Sequence, residues 1–467
     1  MNPEAQVRVR EGRIQKIEWD KRGVFVKKNF KNSIFLFLIF FTLFIYWKFS
    51  HTIVDSMCPG QPSFYKYSIC PGKFNLYNGH ATGYYTRLTE SFLNGQLSFL
   101  ETPDPSFLQL KDPYDPQFNL ESPYRFHDAS LYKGKWYIYF GVMPVFLLWL
   151  PAKAFGLTMT EPLATTLFCW AGFLASLGFI YNIARANNIS IDASHWVIII
   201  LLLSFSNDIP IMIKRPFVYE VSISCAYFCF MSSLYFYSFS FLNSYNYKKY
   251  ILISSLFFSF SILSRISYII FFSVFFLIEF FCKKNNFYSF LKKQFLFLSF
   301  PFLALIIQGF YNYARFESFI NFGIEYQIAA IKIKDMNIFS LNNFKSNIYV
   351  FFHELVRFFY FKIGLLQLTP FIIFLLSSFL FFKRDFLIKL ILILSFAGFI
   401  QLFFISILFS GITIRYAIDF IPILLVASIL SFIFLRENLG VNLYIFSFAF
   451  ILTIYGCVTN MMSFPIL

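Results

Sequence analysis

Long apolar runs recur along this chain, at about 33–50, 140–155, 163–184, 195–206, 219–242, 250–281, 294–313, 364–382, 386–410, 418–435 and 442–462. A helix of roughly 20 apolar residues spans the hydrocarbon core of a bilayer, whereas barrel strands need only about 10 residues of alternating polarity. Most of these runs are continuous and carry few charges, so membrane-spanning helices are expected. Composition removes the soluble alternatives. The 467 residues are 58% hydrophobic and 13% charged, and Phe alone contributes 72. An ordinary soluble domain carries about 25% charged residues, and a chain this apolar has too little polar surface to cover a water-facing core. A soluble enzyme, a disordered chain and a disulfide-dense secreted domain are excluded. The expected class is an all-α polytopic membrane protein.

The net charge of +15 does not point to nucleic acid, because the basic residues form short clusters between apolar runs. Lys and Arg of that kind mark the cytoplasmic side. Residues 1–32 hold nine basic against four acidic side chains, a balance of +5, and read as a cytosolic tail ahead of a retained first span at 33–50. Lys248, Lys249, Lys283, Lys284, Lys292, Lys293, Lys383, Arg384 and Arg436 then belong on the same side. The polar region 51–136 falls outside, as does 314–346. The 140–155 run is short and interrupted by Gly141, Pro144 and Pro151, so it reads as a re-entrant or interfacial element within 137–162. The 250–281 run is too long for one crossing and is divided at Ser264–Arg265, which places Arg265 at the outer face. The expected organisation is eleven spans: one at 33–50, six within 163–313 and four within 364–467, with 314–363 as a second outer loop. An integral membrane protein with a cytoplasmic N-terminus fits this pattern.

Two segments have amphipathic helical spacing. Tyr84, Tyr85, Leu88 and Phe92 share one face before Gly95. Phe351, Phe352, Leu355, Phe358 and Phe359 line one side of 347–362. Both read as helices lying on the membrane surface.

Ionisable groups concentrate in 51–136, which holds eight of the 24 acids and three of the five His. Asp112-Pro113-Tyr114-Asp115-Pro116 and His127-Asp128 stand out, followed by Lys133-Gly134-Lys135 between alternating aromatics, a short-hairpin signature. A carboxylate beside an apolar wall is suited to work as a base. Asp112 and Asp115 could also share a divalent cation through oxygen ligands; no other cofactor is indicated. Outer-face charges recur at later spans: Arg215 before Tyr219-Glu220, Arg265 inside an apolar run, Arg315 and Glu317, and Arg415-Tyr416 before Asp419. Ionisable groups at membrane depth usually face a cavity or partner, and several guanidinium forks on one face suit a phosphate. Cys58 and Cys70 each open a Cys-Pro-Gly triplet on the outer, oxidising side and are expected to form a disulfide. The other five Cys read as small core hydrophobes. P-loop, metalloprotease, nucleophile-elbow and dinucleotide motifs are absent from the sequence.

With these residues in view, the chain resembles the GT-C superfamily of polytopic glycosyltransferases, which includes protein O-mannosyltransferases and lipid A aminoarabinose transferases. The likeness lies in Tyr84-Tyr85-Thr86-Arg87-Leu88-Thr89-Glu90-Ser91-Phe92-Leu93-Asn94-Gly95 within a large first outer loop, in the Pro-interrupted 140–155 element, and in Arg415-Tyr416 ahead of Pro422. The resemblance implies transfer of a sugar from a polyprenyl-phosphate carrier to an outer acceptor, on a glycan, lipid or protein. An outer-loop carboxylate would act as base and basic residues would hold the leaving phosphate. The family's usual acid position reads Asn78-Gly79-His80-Ala81-Thr82-Gly83 here, without a carboxylate. The base role therefore passes to Asp128, then Asp115, with His127 as its companion and His80 as a substitute. Arg215, Arg265 and Arg415 are the expected donor-phosphate ligands, and Asp112, Glu220 and Asp419 are further outer-face candidates. Two other readings stand beside this one: a transporter or lipid-handling protein without transferase chemistry, and a polymerase or ligase of surface polysaccharide.

Overall fold

The computed structural model describes residues 33–50, 83–120, 122, 125–242, 246–282, 287–329, 331–336, 339–380, 386–408, 413–439 and 442–465. The basic tail, Cys58, Cys70, His80, Lys283 and Lys383 lie outside the described residues.

The chain is an all-α polytopic membrane protein. Among the described residues, eight helices are long and apolar enough to cross a bilayer: Ser33–Ser50, Glu161–Ala186, Ala193–Ile213, Val218–Leu242, Phe287–Phe316, Phe386–Ser406, Ile421–Leu439 and Leu443–Met462. The Ile421–Leu439 helix is the hub, with every residue from Ile421 to Leu435 buried. The Phe287–Phe316 helix packs instead against Tyr247–Ser264 and is buried over only 28% of its apolar window. Buried hydroxyls tie the helices where apolar attraction between them is weak. Ser233 and Ser254 exchange hydrogen bonds to each other's carbonyls at 2.8 Å, and Ser222 Oγ donates to the Ser264 carbonyl at 2.6 Å.

The division of the 250–281 run falls where the charge placed it. One helix covers Tyr247–Ser264, Arg265 leaves helical geometry at φ −154° and ψ 108°, and a second apolar helix covers Ile266–Phe281. The 364–382 run is not one continuous helix. A short helix, Leu365–Leu368, stops at Thr369, and Pro370 opens a tighter helix, Pro370–Leu376. Proline lacks an amide donor and disfavours helical geometry in the residue before it.

The 140–155 element contains the short helix Val145–Ala154. At 1.5 Å per residue it covers about half of the hydrocarbon thickness. Gly141 lets the chain pass against the end of the Tyr247–Ser264 helix, because a Cβ there would collide with the carbonyls of Leu263 and Ser264. This close approach brings the element beside Arg265.

The region 83–149 carries its own apolar core. Tyr84, Leu88, Phe99, Phe107, Phe126, Leu131, Trp136, Val145 and Trp149 pack together and continue into Phe168 and Val221 of the spanning helices. The Tyr84–Leu93 helix forms as the spacing predicts. Its apolar face, expected to rest on the membrane, is instead covered by protein: the Tyr85 ring lies 5.2 Å from Trp149 and that of Tyr84 lies 5.9 Å from Phe99. The hairpin also forms, with Ser130–Tyr132 antiparallel to Lys135–Tyr137. Lys133 and Gly134 both take positive φ, at 46° and 69°, the geometry that a two-residue turn between twisted strands requires.

The second surface helix differs from expectation. It runs over Asn342–His353, and the residues that were to complete it form a hairpin, Val356–Phe358 with Phe361–Ile363, joined by Phe464–Pro465 as a third strand. A short run of β-branched and aromatic residues satisfies helical and alternating spacing equally well. Here cross-strand pairing prevailed, and Tyr360 at the turn is 97% exposed.

Candidate functional site

Asp128 lies in the turn that enters the Ser130–Tyr137 hairpin, with left-handed backbone at φ 66°. Asp and Asn are the side-chain-bearing residues that tolerate this region best. Its backbone is pinned from the loop at 323–329. The Asp128 amide donates to the Ile328 carbonyl at 2.7 Å, and the Ile328 amide donates to the Ala129 carbonyl at 2.9 Å. Arg125 Nη2 donates to the Ala329 carbonyl at 2.6 Å, and Ser130 Oγ donates to the Gly323 carbonyl at 2.8 Å. The loops at 125–132 and 323–329 thus form one unit.

The carboxylate of Asp128 is held through one oxygen. Gln327 Nε2 donates to Oδ1 at 2.9 Å, and His127 Nε2 lies 3.6 Å from the same atom. Among the described residues no hydrogen bond reaches Oδ2. Burial holds the His127 imidazole below its usual pKa; Asp128 opposes this, while Arg125 and Arg215 reinforce it. His127 is therefore mainly neutral near pH 7 and can accept or donate a proton.

Gln327 Nε2 also donates to the Tyr219 hydroxyl at 3.0 Å. The Tyr219 ring carries the guanidinium of Arg415 at 3.8 Å from its centroid. Arg415 Nη1 lies 3.7 Å from Glu220 Oε1, and Glu220 Oε2 accepts from the Phe217 amide at 3.1 Å. Arg265 Nε donates to Asp419 Oδ2 at 2.6 Å, with Asp419 fully enclosed. The Tyr416 ring lies 5.3 Å from the Arg265 guanidinium and 5.9 Å from that of Arg415. Arg215 stacks 5.2 Å from Phe217, and its charge reaches both Glu220 and His127.

Arg215, Arg265 and Arg415, drawn from three distant stretches of sequence, therefore gather around Tyr219, Glu220 and Tyr416 within reach of the His127–Asp128 turn. Two acids partly neutralise the three cations. The Nε donors of Arg215 and Arg415 are buried and have no hydrogen-bond partner among the described residues. Unsatisfied guanidinium donors of this kind are suited to an anion.

Asp112 and Asp115 stand apart from this group. Asp112 Oδ2 pairs with Lys332 at 2.9 Å, and that hydrogen bond lowers its pKa below the usual carboxylate range. Its Oδ1 accepts from the Tyr114 amide at 3.0 Å. Asp115 caps the short helix Pro116–Asn119 through the Gln117 amide at 2.9 Å. Among the described residues no group of three or more His, Cys, Asp and Glu is arranged to hold a metal ion. Arg315 serves the scaffold: Nη1 donates to the Ile138 carbonyl at 2.5 Å and Nη2 to Asn312 Oδ1 at 3.0 Å.

Sequence reasoning missed Gln327. A lone Gln in a polar loop carries no motif, and only tertiary pairing of the 125–132 and 323–329 loops reveals its place. It also missed the buried acids Glu161 and Asp208, whose carboxylate oxygens have no hydrogen-bond partner among the described residues.

No protein-family model matches the chain, and no curated protein matches it in sequence. Solved structures similar to it include the oligosaccharyltransferase of Archaeoglobus fulgidus tethered to an acceptor peptide, 15% identical, covering 91% of this chain and 54% of that one at a TM-score of 0.49. The apo form of that enzyme is 13% identical and covers 92% and 56%, at 0.48. Archaeal AglB with an inhibitory peptide and a dolichol-phosphate is 15% identical and covers 94% and 57%, also at 0.48. This chain spans little more than half the length of those proteins.

Proposed function

We propose that this chain is a membrane glycosyltransferase that moves a sugar from a polyprenyl-phosphate-linked donor to an acceptor hydroxyl on the extracytoplasmic face of the bacterial inner membrane. The observation that carries the reading is the gathering of Arg215, Arg265 and Arg415 beside the Asp128 turn, with buried donors unsatisfied on two of them. Asp128 Oδ2 takes the proton of the acceptor hydroxyl as its oxygen attacks the anomeric carbon. The bond from that carbon to the phosphate oxygen breaks, and the lipid phosphate leaves with the bonding pair. Arginine forks meet the charge that grows on the leaving oxygen; preorganised donors of this kind act most strongly where charge develops. Tyr219 and Tyr416 stack against the guanidinium groups and hold their planes.

The test is incubation of purified protein with a panel of polyprenyl-phosphate sugars, scoring release of lipid phosphate. Turnover of at least one donor, lost in Arg415→Ala, supports the reading. A chain that binds none of the donors and releases no lipid phosphate refutes it.

A further inference from the structure

We infer that Gln327, contributed by the second outer loop, is a positioning residue that aligns Asp128 for proton abstraction and links that alignment to the arginine cluster. The inference rests on the glycosyltransferase reading given above. Gln327 is only 4% exposed. Its backbone is held at both ends of its segment: its amide donates to the Ile324 carbonyl at 3.1 Å, and the residue bridges Ser130 across the two loops. The side chain therefore has little freedom. Its single amide nitrogen donates to Asp128 Oδ1 at 2.9 Å and to the Tyr219 hydroxyl at 3.0 Å.

The consequence follows from the number of donors. A primary amide nitrogen has two protons, and both are used here. With Oδ1 engaged, rotation of the Asp128 carboxylate is blocked and Oδ2 remains the oxygen open to a hydroxyl. Because the second proton goes to Tyr219, whose ring supports Arg415, the distance between base and phosphate ligands is fixed through one residue. Asp128 has no other side-chain hydrogen bond of normal length among the described residues, since His127 lies at 3.6 Å. Removing the Gln327 amide should free the carboxylate while leaving the arginines in place.

A double-mutant cycle decides the matter. Gln327→Ala is expected to lower kcat about tenfold or more, as small misplacements of a catalytic group do, with the donor KM within about twofold of wild type. In an Asp128→Asn background the same change is expected to have almost no further effect on kcat, because Gln327 acts through Asp128. Equal fold-losses in both backgrounds, or a change confined to KM, would overturn the inference. A second arm needs no donor. Labelling of Asp128 by a water-soluble carbodiimide, read by mass spectrometry at unchanged melting temperature, is expected to be faster in Gln327→Ala, and an unchanged rate overturns the positioning role. If wild type turns over no donor, the proposed function fails while the labelling arm still decides whether Gln327 restrains Asp128.

Discussion

Replacing Asp128 by Asn separates the chemistry of this position from its geometry. The backbone there stands at φ 66°, a region Asn enters almost as readily as Asp. An Asn side chain still offers an oxygen to the Gln327 amide that now bonds Oδ1. The variant therefore keeps the turn, the link to the 323–329 loop and the volume, and loses the proposed base. Loss of a general base lowers rates about 100- to 10,000-fold, which at about 1.4 kcal/mol per factor of ten is about 3–5.5 kcal/mol of barrier. Asp128→Ala loses the proposed base and also places an ordinary side chain in left-handed geometry, at a further cost of about 1–2 kcal/mol in folding. Asp128→Gly relieves that strain. The expected pattern is thus equal loss of turnover in all three, a wild-type melting temperature for Asn, a lower one for Gly, which loses the bond from Gln327, and the lowest for Ala, which adds the backbone strain. The assay is release of lipid phosphate, paired with thermal unfolding in detergent. An Asn variant that unfolds at the wild-type temperature and keeps near-full turnover would remove Asp128 as the base, and Asp115→Asn and His80→Ala would then be assayed in the same way.

Asp419→Ala leaves the Arg265 guanidinium without its buried partner and is expected to destabilise by about 3–5 kcal/mol, while Arg265→Met with Asp419→Leu restores most of the melting temperature; a single variant as stable as wild type contradicts this. Arg215→Lys keeps the charge but loses the planar fork, so donor affinity should weaken with folding intact, as measured by titration with a polyprenyl phosphate. Gly141→Ala drives a Cβ into the Leu263 and Ser264 carbonyls and is expected to lower stability by about 1–3 kcal/mol, read as a fall in melting temperature. Burial depresses the pKa of His127 below its ordinary 6.5, so the unfolded chain takes up that proton first as pH falls; stability is full above about 6.5, declines below it, and declines less in His127→Gln. In a Cys-free background, a single Cys at position 248 should resist a membrane-impermeant thiol reagent in intact cells; labelling there would reverse the orientation.

The class is legible from composition and run length, because in lipid a continuous apolar stretch has few options besides a helix that satisfies its own backbone. The break at Arg265 is legible for a related reason: a charge inside a long run marks the point where the chain reaches polar surroundings. The turn at Lys133-Gly134 is visible because two residues of positive φ between alternating aromatics have a local signature. Segments where local signals compete behave differently. Residues 356–363 satisfy helical and strand spacing together, and the hairpin won through pairing with Phe464–Pro465, which lies more than 100 residues away. The Tyr84–Leu93 helix has a clear apolar face, but only tertiary packing decided that protein rather than lipid covers it. At the site, the three arginines and Asp128 could be singled out one at a time as charges in costly places. Their convergence, and the place of Gln327 between them, depend on contacts such as Gln327 to Asp128 across 199 positions and Arg265 to Asp419 across 154. Local propensity acts over a few residues, whereas such contacts arise only when helices pack and loops close over them, so the tertiary structure alone assigned these partners.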